Sequence, residues 1–265
     1  MYFLTGKYSE ITDLVYKYRF INRHQVQKAL NHKGPRRINS WLKELTESEF
    51  LGRIYSNKLL ENTNPAIYYL SYKGISVIKE KYHLSVNEVK KFYEDKKRSQ
   101  TFIDHCIFVC QLLLGMKGYD NDFRTYNIFS KEQLLKNHYL SELKPDGYIE
   151  LYKKKTKKSK EKTFYNSFIL NVIDPGVPRY AIRYRIKQYI EFHDEGSWRE
   201  SIGSFPYILF VLPNIQKQNQ LKRHLKTELN ETLFDVEGML FLLTTYEKAK
   251  EKGITDGIWV EVKEE

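Results

Sequence analysis

The chain has 265 residues, 44 of them Lys or Arg and 33 Asp or Glu, for a formal net charge of +11. Hydrophobic residues at 41% and aromatics at 15% are ample for a packed core, which excludes a disordered chain. The cationic excess points to an anionic partner, nucleic acid first, although lysine spread evenly over every surface gives the same total. The length suits one or two domains, and two is the better reading. The only cysteines, Cys106 and Cys110, stand four apart on one helix face within an apolar run. They read as small buried residues rather than a metal pair, and no disulfide framework is implied. The opening MYFLTGKYSE has no basic segment followed by an apolar core, so it does not read as a signal peptide. Apolar runs such as 107–114 and 239–243 are too short to span a bilayer. The expectation is a soluble, cytoplasmic protein with no membrane partner.

Ser9 can cap a helix to about Tyr18, with Ile11, Leu14, Val15 and Tyr18 on one face. Asn22 caps a second, short helix with Val26, Ala29 and Leu30 inward. Gly34-Pro35 breaks the chain, and Pro35 suits the first turn of a third helix with Ile38, Trp41, Leu42 and Leu45 as its apolar stripe. Arg36, Arg37, Asn39, Ser40 and Lys43 are left facing outward. A hairpin follows, from 51–55 through SNKLLENTNP to 66–70, then a closing helix. Three helices and a two-stranded wing make a winged helix-turn-helix whose third helix presents its N-terminal residues to the major groove. Lys58, in the wing, can reach a phosphate. The other use of such a module is protein docking. The charged stretch VNEVKKFYEDKKR reads as a solvated linker helix, or as a dimerisation helix for a homodimer on paired half-sites.

Residues 100–114 are apolar on most faces and predict a helix packed against a sheet, with His105 as its titratable oddity. A histidine in that setting is more often a satisfied core residue than a ligand. Strands are predicted at 122–129, 147–152, 168–173, 206–213, 239–244 and 258–262, with helices at 131–137, 179–198, 215–229 and 246–253. In the helix from Arg179, Ile182, Ile186, Tyr189, Ile190 and His193 point inward, and Arg179, Arg183, Arg185 and Lys187 make much of the rest basic. Strands alternating with helices, after one hairpin, give a mixed α/β sheet. Between the hairpin strands lie seven lysines in ten residues, among them Lys153, Lys154, Lys155, Lys157 and Lys158. That loop can track a nucleic-acid backbone or be a solvated tip; it has no interleaved aromatics to stack bases.

Asp146 stands at the start of one hairpin strand and Asp174 at the end of its neighbour. Two carboxylates there, with Lys187 on the next helix, can hold Mg²⁺ against a phosphodiester. Equally, aspartate begins and ends strands as a turn former. Asp146 after Lys-Pro, the strand ending in Asp174-Pro175-Gly176, the helix with Ile186-Lys187-Gln188-Tyr189 and the His105 helix HCIFVCQLLL together resemble the replication-relaxation family. That is a bacterial plasmid and mobile-element family with an N-terminal winged helix and a restriction-endonuclease-like PD-(D/E)XK half. The resemblance implies a winged helix over 1–84, a helical linker over 85–99 and a restriction-endonuclease-like α/β domain over 100–265. In the family the third strand carries Glu-x-Asp. Here the glutamate position is Val172, and 168–174 has no Glu-x-Lys, which implies a catalytically degenerate domain. The expected function is duplex DNA binding in plasmid replication or its control, needing no cofactor. The alternatives are a Mg²⁺-dependent endonuclease or nickase using Asp146, Asp174 and Lys187, and a scaffold for replication or transfer proteins.

Overall fold

The computed structural model describes residues 4–55, 65–135, 139–154, 156, 161–196, 198, 204–254 and 257–264. The chain is mixed α/β, with a three-stranded antiparallel sheet and a six-stranded mixed sheet. It divides into two compact units, Met1–Leu114 and Gly115–Glu265.

In the first unit α1 (Gly6–Tyr18) starts three residues before Ser9 and buries Ile11, Thr12, Val15 and Tyr16. β1 (Ile21–Asn22) follows. Asn22 then caps α2 (Arg23–Ala29): its side chain accepts the Gln25 N–H at 3.0 Å, and the Gln25 side chain accepts the Asn22 N–H at 3.1 Å. α3 (Pro35–Glu47) has Pro35 in its first turn and buries Ile38, Leu42 and Leu45. β2 (Leu51–Ile54) and β3 (Ile67–Leu70) pair antiparallel, and β1 joins the free side of β3 through Ile21 opposite Tyr68. Two residues are too few to carry a periodic signal, so β1 was not among the predicted strands. α4 (Tyr72–Tyr82) closes the group. A Cβ at Gly74 would lie 2.1 Å from the Phe50 carbonyl oxygen, so only glycine lets this helix approach that backbone.

The stretch read as a solvated linker is packed. α5 (Val86–Tyr93) is capped by Ser85 and buries Val89 and Phe92 in the same core as α1–α3. Just beyond it, Asp95 is fully buried. Its carboxylate accepts from the guanidinium of Arg19, the residue that ends α1. Arg19 also donates to the Lys91 carbonyl at 3.0 Å and lies over the Phe92 and Phe102 rings. The amphipathic pattern of α5 was visible, but the contact of Arg19 with the Lys91 carbonyl, 72 residues apart in the chain, was not. α6 (Gln100–Lys117) follows: Cys110 and Leu114 join the core of the first unit, and the Gln25 side chain donates to the Ile107 carbonyl at 2.7 Å. Burial pushes the Cys110 thiol well above its ordinary pKa, as suits an inert core residue.

The second unit runs β4 (Arg124–Ser130), α7 (Lys131–Leu134), β5 (Gly147–Lys154), β6 (Lys162–Val172), α8 (Arg179–Asp194), β7 (Tyr207–Leu212), α9 (Ile215–Glu231), β8 (Phe241–Thr245), α10 (Tyr246–Lys252) and β9 (Val260–Val262). The strands lie in chain order across the sheet. β4, β5 and β6 pair antiparallel, β6, β7 and β8 parallel, and β9 antiparallel on β8. The parallel strands need crossovers, which α8 and α9 supply. One sheet face, with Tyr148, Ile169, Ile208, Phe210, Phe241 and Leu243, shares a core with α8 and α9. α8 contributes Ile182, Ile186, Tyr189, Ile190 and His193, the inward set its spacing predicts.

Asp95→Ala should destabilise the protein by about 3–5 kcal/mol in urea unfolding, because it leaves the Arg19 guanidinium without its buried partner. Arg98→Ala, whose side chain is one-third exposed, should cost less than about 1 kcal/mol in the same measurement.

Candidate functional site

The two aspartates sit where β5 begins and β6 ends. Asp146 is 4% exposed. Its N–H donates to the Leu170 carbonyl at 2.9 Å, and its Oδ2 accepts the Val172 N–H at 2.8 Å. Its Oδ1 lies 3.5 Å from Lys131 Nζ, at the start of α7. Asp146 therefore continues the β5–β6 ladder by one step with its side chain. Asp174 is half-buried two residues past β6, and its Oδ1 accepts the hydroxyl of Tyr246 at 3.2 Å. Burial pushes the Tyr246 phenol far above its ordinary pKa, followed by the Asp174 charge, the Asp174 hydrogen bond and the Asp146 charge. The phenol thus stays a proton donor, and both carboxylates bear on it. The structure brings Asp146 and Asp174 together around Tyr246, which the sequence reading did not name.

Asn171 points to the opposite face from Val172. It is fully buried, and its Oδ1 accepts from Tyr189 at 2.8 Å and from Arg185 Nη1 at 3.1 Å. Its amide nitrogen donates to the Leu209 carbonyl at 3.4 Å. Burial raises the Tyr189 phenol, opposed by Arg185 and the Asn171 hydrogen bond, with the Asp146 charge adding to the rise. The cation that α8 turns toward the sheet is therefore Arg185. Lys187 lies exposed on the outer side of α8. Arg185 stands four before Tyr189 on one helix face, a signal that was in the sequence; Lys131 and Tyr246 come from distant segments and gave none. The donor set around Asp146 suits a structural clamp better than a divalent cation. One oxygen already accepts an amide, and the other faces an ammonium group. Among the described residues no group of three His, Cys, Asp or Glu side chains gathers to hold a metal.

On α3 the side chains of Arg36, Arg37, Asn39, Ser40 and Lys43 are exposed, opposite the buried Ile38, Leu42 and Leu45. Ser40 donates to Glu44 at 2.8 Å, Tyr8 also donates to Glu44, and Lys43 lies 3.7 Å from Glu47. His105 is half-buried on α6. Lys153 and Lys154 end β5, opposite Thr163 and Lys162. Lys153 lies over the Tyr165 ring, and Lys162 over Tyr152 at 4.4 Å. Aromatics thus do neighbour the lysines, on the strands rather than in the loop. Lys58, Lys155, Lys157 and Lys158 lie outside the described residues.

The sequence profile of the replication-relaxation family matches residues 13–208, from within α1 to the second residue of β7. The chain belongs to the replication-relaxation family. Membership points to a role in the replication or relaxation of plasmids or mobile elements. The match takes in both aspartates, Asn171, Arg185 and all of α3, and stops short of Tyr246. Comparison with curated proteins and with solved structures finds no match. Among the described residues no helix of this replication-relaxation protein is long and apolar enough to cross a membrane.

Asp146→Ala should cost about 1–3 kcal/mol in chemical unfolding, since it strands the buried Val172 amide, and Asp146→Asn, which keeps an acceptor, should cost less. Lys187→Ala should change stability by no more than about 0.5 kcal/mol.

Proposed function

We propose that this replication-relaxation protein is a DNA-binding protein of a bacterial plasmid or mobile element. It acts in replication or its control, and its first unit reads duplex DNA as a winged helix. The observation that carries this reading is the outer face of α3. Its first nine residues expose Arg36, Arg37, Asn39, Ser40 and Lys43 and hold no acidic residue, while its acids, Glu44 and Glu47, fall in the last four. A recognition helix meets base edges with its N-terminal residues, where arginine suits guanine and phosphate alike. The order α1, β1, α2, α3, β2, β3 and the β1-β3-β2 sheet suit that module, with β2 and β3 as the strands of its wing.

The second unit, in this reading, holds the duplex without cutting it. The N-terminal parts of its two covering helices are cationic: residues 179–190 and 215–227 contain no Asp or Glu. Arg179, Arg183 and Lys187 follow one another at i, i+4 spacing on α8 and are all exposed. Lysine and arginine so placed neutralise phosphates without regard to sequence. Asp146 pins the hairpin, which supports a site turned from chemistry to structure. The protein acts as a component of a replication or transfer assembly.

The test is plasmid DNA incubated with the full chain and Mg²⁺ or Mn²⁺, scored for both gel retardation and nicking. Retardation without nicking is expected. Arg36→Ala/Arg37→Ala should weaken duplex binding at least about tenfold, given about 1–3 kcal/mol for each good base contact. Asp146→Asn should bind as the wild type does. Metal-dependent nicking that disappears in Asp146→Asn would replace this reading with a nuclease, and unchanged affinity in the arginine pair would remove α3 from the interface.

A further inference from the structure

The sheet of the second unit has a second face, and its composition differs from the first. The strand register places Arg124 opposite Lys153, Tyr126 opposite Leu151, Ile149 opposite Phe168, Phe168 beside Tyr207, and Leu209 beside Leu242. These residues point away from the core shared with α8 and α9. Together they line a groove of about 750 Å³, formed wholly within the second unit. The floor is aliphatic: Ile149, Leu151, Leu209 and Leu242 are buried. The walls are aromatic, with Tyr119, Tyr126, Tyr165, Phe168, Tyr207 and Trp259. Tyr119 and Tyr165 are about half exposed, at 45% and 55%. Phe168 and Tyr207 meet edge to face at 5.6 Å. Arg124 and Lys153 stand at one end and Glu261 at the other.

We infer that this groove binds single-stranded nucleic acid, its aromatics stacking bases while Arg124 and Lys153 contact phosphates. The inference rests on the nucleic-acid reading of the protein but assigns a different surface and a different form of DNA from α3. An occupant of this groove must offer flat apolar faces along it and negative charge at the end where Arg124 and Lys153 stand. A single strand does both, because each of its bases has a π-face and each linkage a phosphate, whereas a duplex hides its base faces in the stack. Six strands leave five interstrand gaps of roughly 4.8 Å, hence a face about 24 Å across, with room for a few nucleotides. That is compatible with the lower end of single-strand site sizes, about 4–16 nucleotides. Duplex binding through α3 and the outer faces of α8 and α9, and strand holding in this groove, are the two tasks of a protein that works where DNA is being opened.

Trp259 gives a direct readout, because a base stacked in the groove quenches its emission. The full chain is titrated at low salt with a labelled mixed-sequence single-stranded oligonucleotide and, separately, with a duplex. Fluorescence anisotropy and tryptophan emission are followed together. The wild type should bind the single strand with quenching. Trp41→Phe should keep the quenching, and Trp259→Phe should lose most of it. Lys153→Ala/Tyr165→Ala changes exposed or half-buried side chains and should fold normally by circular dichroism. It should weaken single-strand binding at least about tenfold, as expected for a lost stacking partner and phosphate contact, and leave duplex binding unchanged. Arg36→Ala/Arg37→Ala should show the reverse pattern. The inference is overturned if the wild type does not bind the single strand, if binding leaves Trp259 emission unchanged, or if Lys153→Ala/Tyr165→Ala binds it undiminished. A wild type that binds no duplex while the single strand still quenches Trp259, or an arginine pair that binds the duplex undiminished, would sink the α3 reading and leave the groove standing.

Discussion

The register of β5 against β6 fixes what every residue of the second unit faces. Side chains alternate along a strand, so a slip of one residue would turn Tyr148 and Ile169 away from α8 and α9 and send Ile149 and Phe168 into that core. Asp146 holds the register at its open end. Its amide and its carboxylate bond to β6 two residues apart, at Leu170 and Val172, so the pairing cannot shift without breaking both. At the other end a bulge between Leu151 and Tyr152 absorbs an extra residue on β6. Both faces of the sheet, the packed one and the grooved one, follow from this single alignment.

The first unit depends on a different device. Arg19 ends α1, with a left-handed φ of 63°, and its guanidinium reaches a carboxylate with no exposure at all. A buried charge pair of this kind adds little net stability over a hydrophobic replacement, but it is costly to break by halves. Its effect is positional. It gathers α1, α5 and the start of α6 through contacts to Asp95, Lys91, Phe92 and Phe102. The segment that follows α4 is thereby part of the folded unit and not a tether.

Much of this was readable from short-range pattern. The inward residues of α8, the Asn22 cap, Pro35 in the first turn of α3 and the antiparallel hairpin around the lysines all rest on spacing or on local chemistry, which sequence displays. What was hidden depends on contacts across long stretches of chain. The packing of α5 needs Arg19, the ordering of Asp174 needs Tyr246, and the third strand of the small sheet is two residues long. The sequence placed Lys187, in the family-like run Ile186-Lys187-Gln188-Tyr189, beside the two aspartates. On a helix it is Arg185, four residues before the buried Tyr189, that turns toward Asn171. The lysine run itself holds no aromatic; strand pairing, and not chain order, sets Tyr165 beneath Lys153.

The uneven charge of α3 has a consequence for how this protein approaches other molecules. The helix is cationic over its first turns and anionic over its last, and the peptide dipole points the same way, positive at the N-terminus. Such an element is a small electric vector fixed to the rigid core of its unit through Ile38, Leu42 and Leu45. In the field of a polyanion this helix experiences a torque as well as an attraction, which favours an approach with its N-terminus leading. An encounter that begins oriented wastes fewer collisions, and the direction of that approach is written in the order of Arg36, Arg37, Glu44 and Glu47 along a single helix.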